Sequence, residues 1–78
     1  MAKNVLLDDK FYAMKFPARL KFLRSQCGLT QQAVASELNI DRSTYAYYEA
    51  GKTEPRIGSL PVLSRIFSIS VDNLLKNL

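Results

Sequence analysis

Short intervals between helix-breaking residues constrain this chain more than any other feature of its sequence. The breaks come at Pro17, Gly28, Asn39, Gly51, Pro55, Gly58 and Pro61. Between most of them, apolar residues recur every three or four places, which is the spacing of one face of an α-helix. There is little strand signal after residue 16. The pattern therefore predicts an all-α fold, a compact bundle of five short helices.

The capping residues place the ends of these helices. Side chains that can accept a hydrogen bond from a first-turn N–H precede three of them: Thr30 before 31–38, Asp41 before 42–50 and Ser70 before 71–77. The other two helices, 17–27 and 61–68, begin at Pro17 and Pro61, because a proline costs no hydrogen bond in the first turn. Residues that tolerate a left-handed conformation end three helices, namely Gly28, Asn39 and Gly51. Residues 52–59 are predicted to form a loop.

Length and composition bound the class of protein. A chain of 78 residues forms one domain with a thin core. It has one cysteine, Cys27, expected as a small buried hydrophobe in a reducing compartment, and no histidine, so neither an internal disulfide nor a zinc site is predicted. No apolar run approaches the roughly 20 residues that span a bilayer. We expect a cytoplasmic protein without metal or cofactor.

Residues that could carry out catalysis are scarce. The chain lacks histidine and a phosphate-cradling glycine loop. Asp8 and Asp9 are adjacent in sequence and are expected to be solvated. Cys27 lies at a predicted helix C-terminus, which raises a thiol pKa and disfavours a nucleophile. We therefore do not expect an enzyme.

The predicted helix at 42–50 has two unlike faces when its residues are spaced at about 100°. One face carries Arg42, Ser43, Ala46, Tyr47 and Ala50, and the other carries Thr44, Tyr45, Tyr48 and Glu49. The first face is slim and polar, as the DNA major groove requires, since the groove admits one α-helix. Arg42 can reach a guanine edge through two N–H groups, and Tyr47 can contact a phosphate or a thymine methyl group. The second face provides aromatic rings for the core.

The preceding helix can hold the DNA backbone. Its first-turn amides and the Gln31 and Gln32 side chains can bind a phosphate, helped by the helix dipole. Lys52 and Arg56 can do so from the following loop. The net charge of +4 suits a polyanionic partner, but no segment is a polybasic tail, so binding must come from folded geometry.

These features resemble the phage repressor and Cro family of helix-turn-helix proteins, also called the XRE family. The resemblance covers residues 20–75 and rests on GLTQQAVASELNIDRSTYAYYEAGKTEP followed by SVDNLL. It implies a lambda-repressor-like five-helix domain that regulates transcription. It also implies that the third helix reads bases in double-stranded DNA, usually from a homodimer on a near-palindromic site.

The resemblance assigns roles to individual residues. It implies a buried set of Val34, Leu38, Ile40, Tyr45 and Tyr48, with the small Ala35 where the two helices cross. The implied DNA-binding set is Thr30, Gln31, Gln32, Arg42, Ser43, Thr44, Tyr47, Lys52 and Arg56. Arg24 and Glu49 match a structural ion pair between the first and third helices. The sequence departs from the family in having Asn39 at the turn, where Gly is commoner, and Tyr47 where a long polar side chain is common.

The family does not account for the first 15 residues, which we treat as an N-terminal extension to a domain at 16–78. They are too apolar for a simple solvated arm: Val5, Leu6, Leu7, Phe11, Tyr12 and Met14. An extra turn of helix, a short strand and a dimer-forming arm remain open. A protein-interaction or antitoxin-like module that uses this segment is the second functional hypothesis, and it is compatible with DNA binding.

Overall fold

A computed structural model describes residues 7–78 of the chain. Val5 and Leu6, two of the apolar residues of the N-terminal segment, lie outside the described residues. The described part is all-α, as predicted, and its six helices are α1 (Asp9–Ala13), α2 (Phe16–Gln26), α3 (Gln31–Leu38), α4 (Arg42–Ala50), α5 (Leu60–Phe67) and α6 (Val71–Leu75). A short 3-10 turn at Ile57–Ser59 leads into α5. None of these helices is long and apolar enough to cross a membrane.

Helix α1 is the element that the five-helix prediction did not contain. Asp8 caps it by accepting a hydrogen bond from the Phe11 N–H at 3.1 Å. The Phe11 ring is buried in the core and meets Tyr12 edge to face, with ring centroids 5.3 Å apart. In the described part of the N-terminal segment, a short helix therefore packs onto the rest of the domain.

Arg19 fixes α1 in place. Its guanidinium is fully buried and donates to three backbone carbonyls, those of Tyr12 at 2.8 Å, Met14 at 3.0 Å and Leu74 at 2.9 Å. Its central carbon also lies 5.0 Å from the centroid of the Phe11 ring. The three carbonyls lie in or just beyond α1 and in α6, so one side chain on α2 joins both ends of the described chain.

The helix caps largely follow the sequence prediction. Thr30 and Ser70 each accept a hydrogen bond at 3.0 Å, from the Ala33 and Asn73 N–H groups respectively. Asn39 ends α3 in the left-handed region, with φ of 61°. The prediction that Asp41 caps α4 is wrong. Asp41 occupies the N-cap position with an extended backbone, but its exposed carboxylate makes no capping bond.

The core lies where α2, α3, α4 and α5 meet, with α1 and α6 closing one end. Its buried apolar members are Phe11, Leu20, Leu23, Val34, Ala35, Tyr45, Tyr48, Leu63, Phe67, Ile69 and Leu74. Of the five positions that the family implies are buried, Val34, Tyr45 and Tyr48 are buried, and Leu38 and Ile40 are half-buried against the core. Cys27 is likewise half-buried against the core.

Several helix boundaries differ by one or two residues from the sequence prediction: α2 ends at Gln26, and α5 runs from Leu60 to Phe67. Helix α2 begins at Phe16, so Pro17 lies inside its first turn. Helix α6 ends at Leu75 and not at residue 77, since the Lys76 backbone leaves helical geometry with a ψ of 133°. Leu75 and Leu78 are exposed, and only Leu74 of the three predicted apolar residues is buried.

Candidate nucleic-acid interface

Helix α4 presents a narrow exposed face. Arg42 and Ser43 are exposed at its start, and Tyr47 is 48% exposed one turn later. Ala46 between them is half-buried and adds only a methyl group. Because no large side chain stands between Arg42 and Tyr47 on this face, the helix backbone can approach a flat or grooved partner closely.

The opposite face of α4 fixes the helix in the domain. Tyr45 and Tyr48 are buried and meet edge to face, with ring centroids 6.1 Å apart and planes 79° to each other. Burial raises the pKa of the Tyr45 hydroxyl, which stays neutral. Thr44, which the sequence placed in the DNA-binding set, is half-buried at the edge of this face.

A three-residue turn joins α3 to α4. The left-handed Asn39 directs its N–H to the Ser36 carbonyl, and the Ile40 N–H bonds the Ala35 carbonyl at 3.0 Å. These bonds satisfy carbonyls at the end of α3 and turn the chain sharply, as in the C-caps that glycine usually forms. Among the described helices, α3 and α4 pack against each other over the largest contact. The exposed start of α4 lies beside the start of α3, where Arg42 bonds Gln31.

The start of α3 offers hydrogen-bond donors to a bound anion. Helical geometry leaves the first-turn N–H groups without acceptors inside the helix. Thr30 satisfies one of them, the Ala33 N–H, and its own hydroxyl hydrogen stays available. The exposed Gln32 side chain donates to the Ser36 hydroxyl at 3.1 Å, which holds it along the outside of α3. Such a helix start is a favourable position for a phosphate.

Arg24 and Glu49 form the ion pair that the family resemblance implied. The Arg24 Nε lies 2.6 Å from Glu49 Oε2, and its Nη2 lies 3.0 Å from Oε1. A third donor, Nη1, bonds the Leu29 carbonyl at 3.0 Å. Burial alone would raise the pKa of Glu49, but hydrogen bonding to the carboxylate, above all from Arg24, outweighs burial and lowers that pKa. The pair joins α2 to the last turn of α4.

Gln31 makes two side-chain hydrogen bonds that the sequence did not predict. Its Nε2 donates to Glu49 Oε1 at 3.2 Å, and its Oε1 accepts from Arg42 Nη1 at 3.3 Å. The Gln31 amide therefore links Arg42, the first residue of α4, to Glu49 in the last turn of the same helix. The residues it joins are 18 and 11 positions away along the chain, so no local pattern could have predicted the contact.

The loop after α4 brings one of its two cations to the exposed face. The Lys52 ammonium lies 5.5 Å from the centroid of the Tyr47 ring, close enough for a cation–π contact. Arg56 is exposed farther along the loop. Arg19, a further cation on α2, is fully buried and is not part of this surface.

The fold and this arrangement define a helix-turn-helix protein. A family model described as "Helix-turn-helix" matches residues 20–74. The chain belongs to this family, and the resemblance to phage repressor and Cro proteins is confirmed.

Among its relatives, the chain is 46% identical over 61 residues to a Bacillus subtilis protein, the SPbeta prophage-derived uncharacterized HTH-type transcriptional regulator YonR. That match covers 78% of this chain and 56% of YonR. The chain is 37% identical over 62 residues to the HTH-type transcriptional activator BcrR of Enterococcus faecalis, covering 80% of this chain and 30% of BcrR. It is 36% identical over 62 residues to the B. subtilis HTH-type transcriptional regulator ImmR, covering 80% of this chain and 49% of ImmR. The match thus spans about half the length of YonR and ImmR and less than a third of BcrR, 56%, 49% and 30% respectively.

Proposed function

We propose that this protein is a sequence-specific double-stranded DNA-binding regulator of transcription that places α4 in the major groove. The observation that carries the proposal is the exposed face of α4, where Arg42, Ser43 and Tyr47 are exposed side by side. Its membership of the helix-turn-helix family and the names of its relatives as transcriptional regulators support the same function.

The proposed roles follow from position. Arg42 reads a base edge through two N–H groups, with guanine as the matching base. Ser43 and Tyr47 contact neighbouring base edges or the groove wall, and Thr44, being half-buried, contacts at most the backbone. The phosphate contacts come from the start of α3, with Thr30, Gln31 and Gln32, and from Lys52 and Arg56 in the loop.

We propose a homodimer as the binding form. One α4 helix of nine residues covers a single half-site, and two copies related by a two-fold axis read a near-palindrome. An apolar groove of about 190 Å³, lined by Phe16, Glu54, Pro55, Leu60, Leu75 and Leu78, lies next to the loop that follows α4.

The apolar N-terminal segment gives less support to a protein-interaction module. Phe11 is buried in the chain's own core, and Tyr12 and Met14 pack against that core. Where the structure describes it, this segment serves the fold of its own domain.

A selection from a random DNA library at moderate salt tests the proposed function. We expect enrichment of a two-fold symmetric motif. Arg42→Ala should weaken binding to that motif by roughly 1–3 kcal/mol and relax the preference at one base pair of each half-site. Ser25→Ala, at an exposed site on α2, is the matched control and should bind like the wild type. The absence of any enriched motif would contradict sequence-specific regulation.

A further inference from the structure

We propose that the buried ion pair of Arg24 and Glu49 positions the base-reading guanidinium of Arg42, and that the Gln31 amide transmits this effect. The inference rests on the proposed function, because it concerns how Arg42 is held for reading a base. Glu49 and Gln31 are thereby positioning residues for sequence recognition, in addition to what they contribute to the fold.

The first step is the fixed position of the Glu49 carboxylate. Its side chain is only 5% exposed and receives three N–H groups, two from Arg24 at 2.6 and 3.0 Å and one from Gln31 at 3.2 Å. A carboxylate that is buried and bonded in this way stays ionised and has little freedom to move. The hydrogen bonds lower its pKa, which is consistent with that state.

The second step is the orientation of the Gln31 amide. An ionised carboxylate accepts hydrogen bonds and cannot donate one, so the NH₂ end of the amide must face Glu49. Turning the amide over would bring its carbonyl oxygen against the carboxylate. The amide oxygen is therefore directed outwards, where it accepts from Arg42 Nη1 at 3.3 Å.

The third step is the effect on Arg42. Its side chain is exposed and long, and ordering such a side chain on binding costs conformational entropy. The bond to Gln31 uses one of its five N–H groups and holds the guanidinium beside the groove-facing surface before DNA arrives. From the usual cost of ordering one long side chain, we expect about a threefold to tenfold gain in preference for the matched base.

Two variants test this mechanism, one by removing the ion pair and the other by removing the Gln31 amide. The first replaces both charges by apolar side chains, Arg24→Met with Glu49→Leu, which removes the carboxylate without leaving an unpaired buried charge. The second, Gln31→Met, keeps the ion pair and removes only the amide. Gln26→Met on α2, an exposed glutamine outside the binding surface, is the matched control. Thermal unfolding establishes whether each variant folds. If the double variant does not fold, the base preference of Gln31→Met alone tests whether Gln31 positions Arg42.

The readout is the relative affinity for DNA sites that differ at each base pair. Both variants should lose threefold to tenfold of the preference at the one base pair that Arg42→Ala identifies, with preferences elsewhere unchanged. Loss of a Gln31 phosphate contact would instead weaken binding to all sites equally. A folded double variant that keeps the full preference at that base pair, or a folded Gln31→Met variant that does so, would overturn the mechanism.

A second readout does not depend on DNA. In ¹⁵N spectra of the free protein, the Gln31 side-chain NH₂ signals should lie away from those of exposed glutamines and should move towards them in the double variant. If these signals do not respond to removal of the carboxylate, the relay is wrong whatever the protein binds. If they respond but the wild type shows no sequence preference, the proposed function fails and with it the role in base reading.

Discussion

Arg19 lacks a carboxylate partner within residues 7–78, although it is fully buried. Three carbonyl oxygens replace that partner, those of Tyr12, Met14 and Leu74. All three lie within or just after the last turn of a short helix, where the unpaired carbonyls carry partial negative charge. The guanidinium fork thus satisfies groups that a thin core would otherwise leave buried and unpaired.

We expect Arg19→Lys to lower the free energy of unfolding by roughly 2–4 kcal/mol, because a compact ammonium cannot reach three carbonyls spread around a planar fork. Urea denaturation measures the loss. Arg65→Lys, on the exposed side of α5, is the control and should stay within about 0.5 kcal/mol of the wild type. Equal stability of the two variants would mean that the three hydrogen bonds of Arg19 contribute nothing net.

Glu49 gives the stability a defined dependence on pH. Its pKa is lower in the folded protein than in the unfolded chain, where glutamate titrates at about 4.3. The ionised form therefore stabilises the fold fully above that pH, and this contribution is lost as the pH falls through the lower folded pKa.

We expect Glu49→Gln to be less stable than the wild type at neutral pH, with the difference narrowing as the pH falls below about 4.3. Chemical denaturation at a series of pH values measures the two curves. The exposed Glu37→Gln is the control and should run parallel to the wild type. A constant gap for Glu49→Gln down to low pH would show that the carboxylate charge has no part in the stabilisation.

Among the elements, α3 and α4 begin at N-caps of different quality. Thr30 makes a side-chain bond to the first turn of α3, whereas Asp41 makes none to α4. We expect Thr30→Ala to cost about 1 kcal/mol of stability and Asp41→Ala less than half of that at about 0.1 M salt, where screening weakens the effect of a charge on the helix dipole. Thermal unfolding of both variants tests this, and equal losses would contradict the difference in capping.

The sequence predicted α3 and α4 to the residue because local signals agree there. Apolar spacing, Thr30 at the start and left-handed Asn39 and Gly51 at the ends all indicate the same boundaries. Helix α1 could not be chosen in this way. It is five residues long, too short to be stable alone, and it depends on the burial of Phe11 and on Arg19 from another helix.

In the candidate site too, some features could be predicted from the sequence and others depend on tertiary packing. The exposed face of α4 could be derived from its helical phase, and the Arg24–Glu49 pair from the family resemblance. The Gln31 bridge could not, because its bonds join residues whose proximity depends on how α3 packs against α4. Side-chain contacts of this kind appear only once the tertiary structure is known.

For the molecule as a whole, a net charge of +4 overstates the cations available on one surface. Arg19 is buried, and the charge of Arg24 is neutralised by Glu49. The cations exposed around α4 are Arg42, Lys52 and Arg56, and the exposed Asp41 and Glu54 lie near them in sequence. Because the local excess of positive charge is small, each phosphate contact should contribute a measurable share of the binding.

This charge distribution leads to a prediction about salt. Each phosphate contact on double-stranded DNA steepens the plot of log K against log salt concentration by about 0.9. If Lys52 and Arg56 both contact phosphates, Lys52→Ala with Arg56→Ala should make the slope shallower by about 1.8, as measured by fluorescence anisotropy on the selected site. Lys76→Ala is the control, since Lys76 lies over the Tyr12 ring beyond α6 and should leave the slope unchanged. A double variant with weaker affinity but the wild-type slope would assign these side chains to shaping the loop beside Tyr47, and the phosphate contacts would then have to come from the start of α3.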